Sequence, residues 1–288
     1  MQNVDIYQTA GLGILAQYSE NLSVENTRII PNAAKGRFFD SHDDGVHVSN
    51  CKGLVRVVDS VFDGLLDDPI NVHGTTVKII EKKASDTVLA RFMHHQSMGL
   101  DFAWPGDRIS FLDNTTMLSE GEGEVKAIKA LSATDVEIVF KSPIPGNVRP
   151  DFALENLTWA PDVEIKRNFF GNGRARSVLV STPGHVVIED NRFESSGSAI
   201  LIAGDANYWF ESGAVRDVLI RNNEFADECL TNNFVAHNVE YRGMVDEPSF
   251  CAIVRAVTKD HPCSRVSWKA ASTIMSLVKT VLCVMVSS

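Results

Sequence analysis

Apolar residues in this chain alternate in short runs, and the runs repeat. The frame V-x-[VIL]-x-x-[NS]-x-F occurs four times, at 55–62, 163–170, 186–193 and 218–225. Alternation makes a short strand with one buried face, the Asn or Ser permits a corner, and the Phe fills the next turn. A second frame follows. Val46-His47-Val48, Ile70-Asn71-Val72 and Val178-Leu179-Val180 each begin 8 residues after Phe38, Phe62 and Phe170, and Ile200-Leu201-Ile202 begins 7 after Phe193. Strands recurring after 24 residues (46 to 70) and 22 residues (178 to 200) predict a solenoid whose turns hydrogen-bond their neighbours. Leu-dominated strands alternating with helices, the mark of a leucine-rich repeat, are absent.

The predicted fold is therefore all-β: a right-handed parallel β-helix with an inserted, small antiparallel β-barrel-like domain. The first solenoid part spans 1–73. Over 74–145 the frame gives way to TVKII, TVLARF, DRISFL, EGEVKAIKAL and DVEIVF, separated by turn-like breaks, which is the pattern of an antiparallel insertion. The second solenoid part spans 146–228, its frame resuming near Trp159. Residues 229–288 hold no further match and read as an irregular tail. It is either a cap ending in an amphipathic helix, SWKAASTIMSLVKTVL, or a non-native extension.

Composition narrows the partners. With 288 residues and 44% hydrophobic content the chain can bury a substantial core. Its 27 Lys and Arg against 37 Asp and Glu give a net charge of -10, which disfavours nucleic acid and anionic membranes. The N-terminus lacks the basic region and apolar run of an export signal, and residues 274–286 are too short and interrupted by Lys279 to span a bilayer. Cys51, Cys229, Cys251, Cys263 and Cys283 are odd in number and form no C-x-x-C pair, so neither a disulfide framework nor a zinc site is expected.

The candidate chemistry lies on the repeat. Asp43-Asp44-Gly45-Val46 and Asp67-Asp68-Pro69-Ile70 are one segment, repeated a turn apart, and Arg176 takes the equivalent position before Val178. Stacking at about 4.8 Å would set two Asp pairs one above the other, with Arg174 and Arg176 beyond them. Like charges this close disfavour joint ionisation, so one aspartate keeps a proton while another stays ionised near arginine. Glycoside hydrolysis needs that division between acid and base or nucleophile. His42, His47, Asn71 and His73 flank the column. The alternative, a structural turn or a calcium ligand, weakens with each repetition in register. Two weaker candidates are the loop 204–211, whose Tyr208, Trp209 and Glu211 suit sugar stacking and hydroxyl binding or else merely seal a loop, and His94-His95, which lack a third metal ligand and read as surface histidines.

HDDGVHVSNCKG, FDGLLDDPINVHG, RARSVLVSTPG and AGDANYWFESGAV together resemble glycoside hydrolase family 110, over about residues 20–225. The resemblance is to a fragment of such an α-1,3-galactosidase, an enzyme that removes terminal galactose from blood-group-B-type glycans. It implies a β-helix with inserted barrels, an inverting mechanism, no metal or other cofactor, a galactose-terminated oligosaccharide as partner, and a homodimer. The catalytic aspartates would fall on Asp44, Asp67 and Asp68, with the acid and base unassigned. Asp43, His47, Asn71, His73, Arg174, Arg176, Trp209 and Glu211 are the expected substrate contacts, and the parent protein is expected in the periplasm or secreted. A pectin-type hydrolase or lyase and a non-catalytic β-helical binding module are the rival readings.

Overall fold

The computed structural model of the chain describes residues 1–194, 198–202, 204–213 and 215–225, and the backbone of strands Phe234–Ala236, Ile253–Thr258 and Met285–Val286. The expected tail helix and Cys229, Cys251, Cys263 and Cys283 lie outside the described residues. Nearly all regular structure is β, and no described helix is long and apolar enough to cross a membrane.

Short parallel strands build one six-stranded sheet and one larger curled sheet. The first contains Ile14–Gln17, Val46–Ser49, Ile70–His73, Val178–Ser181 and Ile200–Ile202 in that order. The register matches the repeat: Val46 pairs with Ile70, Ile70 with Val178, and Val178 with Ile200. In the curled sheet Val55, Val163, Val186 and Val218 are aligned in the same way. Strand Asp217–Phe225 runs through both halves of that sheet and joins them.

The frame works because each of its positions stacks on its own kind. Phe62, Phe170, Phe193 and Phe225 form a buried column with ring centroids 5.3, 4.8 and 5.2 Å apart and nearly parallel planes. Each such ring contributes roughly 1.5–3 kcal/mol by leaving water. The Asn position turned out not to make the corner itself. The residue before it does, with positive φ at Asp59, Arg167, Asp190 and Asn222. The buried Asn side chains instead bridge successive turns: Asn191 Nδ2 donates to Ile165 O (2.9 Å) and its Oδ1 accepts the Asn168 amide (2.9 Å). Phe38 departs from the expected pattern. It is 93% exposed, and Ile29 fills the slot beside Phe62.

The insertion closes into a six-stranded antiparallel barrel: Thr76–Ala84, Thr87–Arg91, Arg108–Leu112, Ser119–Ala130, Asp135–Phe140 and Ala153–Asn156. Phe92, Phe111, Phe140 and Phe152 fill it. Its closing strand lies beyond the expected boundary at 145. Ala153–Asn156 is buried along its whole length, so it lacks the alternation that marks a half-exposed strand. The parallel register nevertheless continues across the insertion, as the Ile70–Val178 pairing requires.

Candidate active site

The column begins at a tight turn. A Cβ on Gly45 would come within 2.7 Å of Pro69 O and of the Leu65 side chain, so only glycine lets the Asp44 segment approach the next turn this closely. Backbone ladders then fix the carboxyls. The Asp68 amide donates to Asp44 Oδ1 (3.2 Å), and the Arg176 amide donates to Asp68 Oδ1 (3.0 Å). The Arg176 guanidinium also donates to Asp68 Oδ2 (2.6 Å). One carboxylate oxygen each from Asp44, Asp67 and Asp68 lie within 4.8 Å of one another. All three candidate catalytic residues therefore meet at one place.

Their environments differ. Asp68 is 1% exposed; burial drives its pKa well up, Arg176 opposes this, and Asp44 and Asp67 add to it. Asp67 is half-buried and also raised, by burial first and Asp44 second, with Arg176 and Arg174 pulling the other way. Arg174 is held by its Nε donating to Leu66 O (2.6 Å). Of the buried side-chain atoms without a hydrogen-bond partner among the described residues, Asn71 Oδ1, Arg176 Nε and Ser177 Oγ belong to this column. Buried polar atoms are nearly always paired, so these three stand out as unsatisfied groups in the column.

A hydrogen-bonded chain leads away from Asp44. His47 Nδ1 lies 2.7 Å from Asp44 Oδ2, and His47 Nε2 lies 3.0 Å from His73 Nε2. His73 Nδ1 lies 2.6 Å from Gly74 O, which can only accept, so His73 carries its proton there. Burial lowers the pKa of His73 and favours its neutral form, which leaves its Nε2 as acceptor for the His47 Nε2 proton. Asp44 and His47 then share one further proton between Oδ2 and Nδ1. Glu211 Oε1 lies 3.7 Å from His73 Nε2.

The loop that delivers Glu211 is braced. The Asp205 carboxylate accepts the amides of Asn207 (2.8 Å), Tyr208 (3.0 Å), Trp209 and Phe210. Phe210 O accepts the Thr76 amide (2.8 Å), and Asn207 Nδ2 donates to Asn114 O (2.7 Å), both on the barrel side. Trp209 is half-exposed, with its ring 4.8 Å from His94.

The expected residues do not all converge. His47, Asn71, His73, Arg176 and Glu211 lie along the column and its histidine chain. Asp43 pairs instead with exposed His42 (2.7 Å) and is outside the three-carboxylate group. Sequence reasoning missed Asp205 as the organiser of the loop and His94 as a neighbour of Trp209. The only signal for either was the compositional oddity of their segments. The three carboxylates also have the mutual spacing a cation requires, although Arg176 already supplies positive charge there.

Residues 87–153 match the family model described as GLAA-B beta-barrel domain II. The chain is 47% identical over 229 residues to alpha-1,3-galactosidase B of Bacteroides thetaiotaomicron, covering 80% of this chain and 37% of that protein. It is 39% identical over 245 residues to alpha-1,3-galactosidase B of Phocaeicola vulgatus, covering 81% of this chain and 40% of the relative. Alpha-1,3-galactosidase A of Bacteroides fragilis is 38% identical over 241 residues, 83% of this chain and 40% of its own length. The chain thus spans about two fifths of the length of these curated relatives.

Proposed function

The chain is a homologue of the alpha-1,3-galactosidases A and B, and on that premise we propose that it is part of a glycosidase that removes terminal α-1,3-linked galactose from glycans. The observation that carries this reading is the meeting of Asp44, Asp67 and Asp68 within 4.8 Å on stacked strands. We read the parallel sheets as a right-handed β-helix, the hand that parallel crossovers favour almost without exception.

The three carboxyls divide the work by environment. Asp67 is the proton donor: burial and Asp44 help it keep its proton, and among the described residues Arg176 and Arg174 act on it without forming an ion pair. Asp44 is the base. Its Oδ2 already shares a proton with His47, so the proton taken from water goes to the remaining lone pair of Oδ1. Asp68, gripped by the amide and guanidinium of Arg176, is a positioning residue. Inversion follows from the family resemblance. Carboxyl oxygens within 4.8 Å leave less room than the 6.5–9.5 Å typical of an inverting pair, so inversion requires the outer oxygens to act or the cluster to open around substrate. That spacing favours a second reading, retention with a carboxylate nucleophile. The first-formed anomer, followed by NMR, separates them: β-galactose for inversion, α-galactose for retention.

The test of the activity is galactose release from a Gal-α-1,3-Gal disaccharide, with and without chelator, by the chain and by Asp44→Asn, Asp67→Asn and Asp68→Asn. Expected is chelator-insensitive release, cut at least a hundredfold by each of the first two substitutions. Release that needs calcium, with preference for uronates, would favour a lyase. Binding without release by a folded chain would favour a non-catalytic module.

A further inference from the structure

Trp209 and Tyr208 are 48% and 72% exposed, an unusual placement for large aromatic rings beside a catalytic centre. They are also held still. Asp205 pins the amides from Asn207 to Phe210, and Phe210 O and Asn207 Nδ2 tie the loop to the barrel. Tyr208 packs edge-on against Trp209, with centroids 5.3 Å apart. The barrel supplies the other half of the surface. His94 lies 4.8 Å from the Trp209 ring and 4.4 Å from His95. Its own turn is fixed by Ser97, whose amide and hydroxyl both donate to His94 O. Glu211 stands between this shelf and the catalytic column. Its carboxylate is 3.7 Å from His73 Nε2 and acts electrostatically on His94.

A rigid, half-exposed aromatic face with a carboxylate at its edge suits a pyranose. The ring stacks its C–H face on indole, and the acid accepts hydroxyls. The question is which sugar it holds. An enzyme that removes a terminal galactose encloses that residue at the carboxylates, whereas the sugar across the scissile bond carries the rest of the glycan and needs an open wall. The shelf is open, and Glu211 at its edge is linked to the carboxylates only through the His73–His47–Asp44 chain among the contacts of the described residues.

We propose that His94 of the barrel, together with Tyr208, Trp209 and Glu211, forms the binding subsite for the sugar on the leaving-group side of the galactosidic bond. The inserted barrel is thereby a determinant of which glycans are accepted. This rests on the galactosidase reading above, and it assigns the expected substrate contacts Trp209 and Glu211 to the sugar next to the galactose.

The experiment compares two substrates on the chain and on its His94→Ala, Trp209→Ala and Trp209→Phe variants. Gal-α-1,3-Gal reaches the shelf; α-galactosyl fluoride, whose leaving group is one atom, does not. Removing a stacking partner is expected to lower kcat/KM on the disaccharide roughly tenfold more than on the fluoride, chiefly through KM. Trp209→Phe, which keeps an aromatic face, should recover most of that difference. Equal losses on both substrates would put the shelf at the galactose itself and overturn the proposal, as would a disaccharide KM that does not move. A folded wild-type chain that hydrolyses neither substrate would overturn the galactosidase reading, which is a different result from a wild-type chain that cleaves both while the variants show no selective loss.

Discussion

Arg176 controls the site at the scale of single residues, because it is the positive charge closest to the buried carboxyls. Its guanidinium lies 2.6 Å from Asp68 Oδ2 and lowers the pKa of both Asp68 and Asp67 against burial, which raises them. With Asp67 as proton donor, activity falls as pH rises through the Asp67 pKa, which is the alkaline limb of the kcat/KM profile. Arg176→Gln removes the opposing charge, so Asp67 keeps its proton to higher pH and that limb moves up. The position of the limb is the readout, since the rate itself also falls when Asp68 loses its anchor. A limb that stays in place would mean another group donates the proton. A separate consequence concerns the histidine pair. His73→Phe deletes the acceptor for the His47 Nε2 proton while filling the same volume. It is expected to lower kcat several-fold more than KM, as loss of a positioning residue should.

Stacking of like on like decides stability at the scale of the element, and it also decides what could be read from the sequence. Asn191 accepts the Asn168 amide at 2.9 Å and donates to Ile165 O at 2.9 Å, while its own amide donates to Asn223 Oδ1 at 3.0 Å. Asn191→Ala orphans buried groups on both neighbours and should cost about 3 kcal/mol in urea unfolding. Asn191→Asp should cost at least as much, because a carboxylate cannot donate and would face Ile165 O and Asn223 Oδ1 directly. If Asp were tolerated, the ladder would not depend on donation. This chemistry made the frame legible. Each turn solves the same local problem with the same residues, so Val55, Asn168 and Phe193 announce their register from spacing alone. Asp44, Asp68 and Arg176 share that register, which is why their convergence was readable too. Phe38 misled, because spacing from the next strand cannot tell a buried ring from an exposed one. Ala153–Asn156 was invisible for the opposite reason: Glu155 and Asn156 are polar yet buried, satisfied by Gly213 and by Phe102 and Asp107. The His73–Glu211 contact joins segments far apart in sequence, and no local pattern encodes it.

The barrel and the parallel sheets meet, at the scale of the whole molecule, through a buried titratable group. Glu155, on the barrel's closing strand, is 3% exposed and accepts the Gly213 amide at 2.6 Å. A Cβ at Gly213 would fall 2.5 Å from its Oε2, so a larger residue there would have to displace the Glu155 carboxyl. Gly213 ends the segment that carries Trp209 and Glu211, and this carboxyl therefore helps tie that loop to the barrel. Burial raises the Glu155 pKa from 4.5 to about 7, with the Gly213 amide and Arg216 only partly offsetting it. The folded state thus holds this proton more tightly than the unfolded chain does. The associated stability is fully present below the unfolded value of 4.5 and is lost as pH rises through about 7, on the order of 3 kcal/mol for a group this buried. Glu155→Gln keeps an oxygen for the Gly213 amide and cannot ionise. Urea midpoints measured between about pH 5 and about pH 8 should fall for the wild type and stay flatter for the variant, which becomes the more stable of the two at the alkaline end. A variant that loses stability in parallel with the wild type would place the pH dependence elsewhere. If the flattening is seen and the variant also holds its disaccharide KM to higher pH, then the anchor of the loop and the shape of the substrate subsite are governed by the same proton.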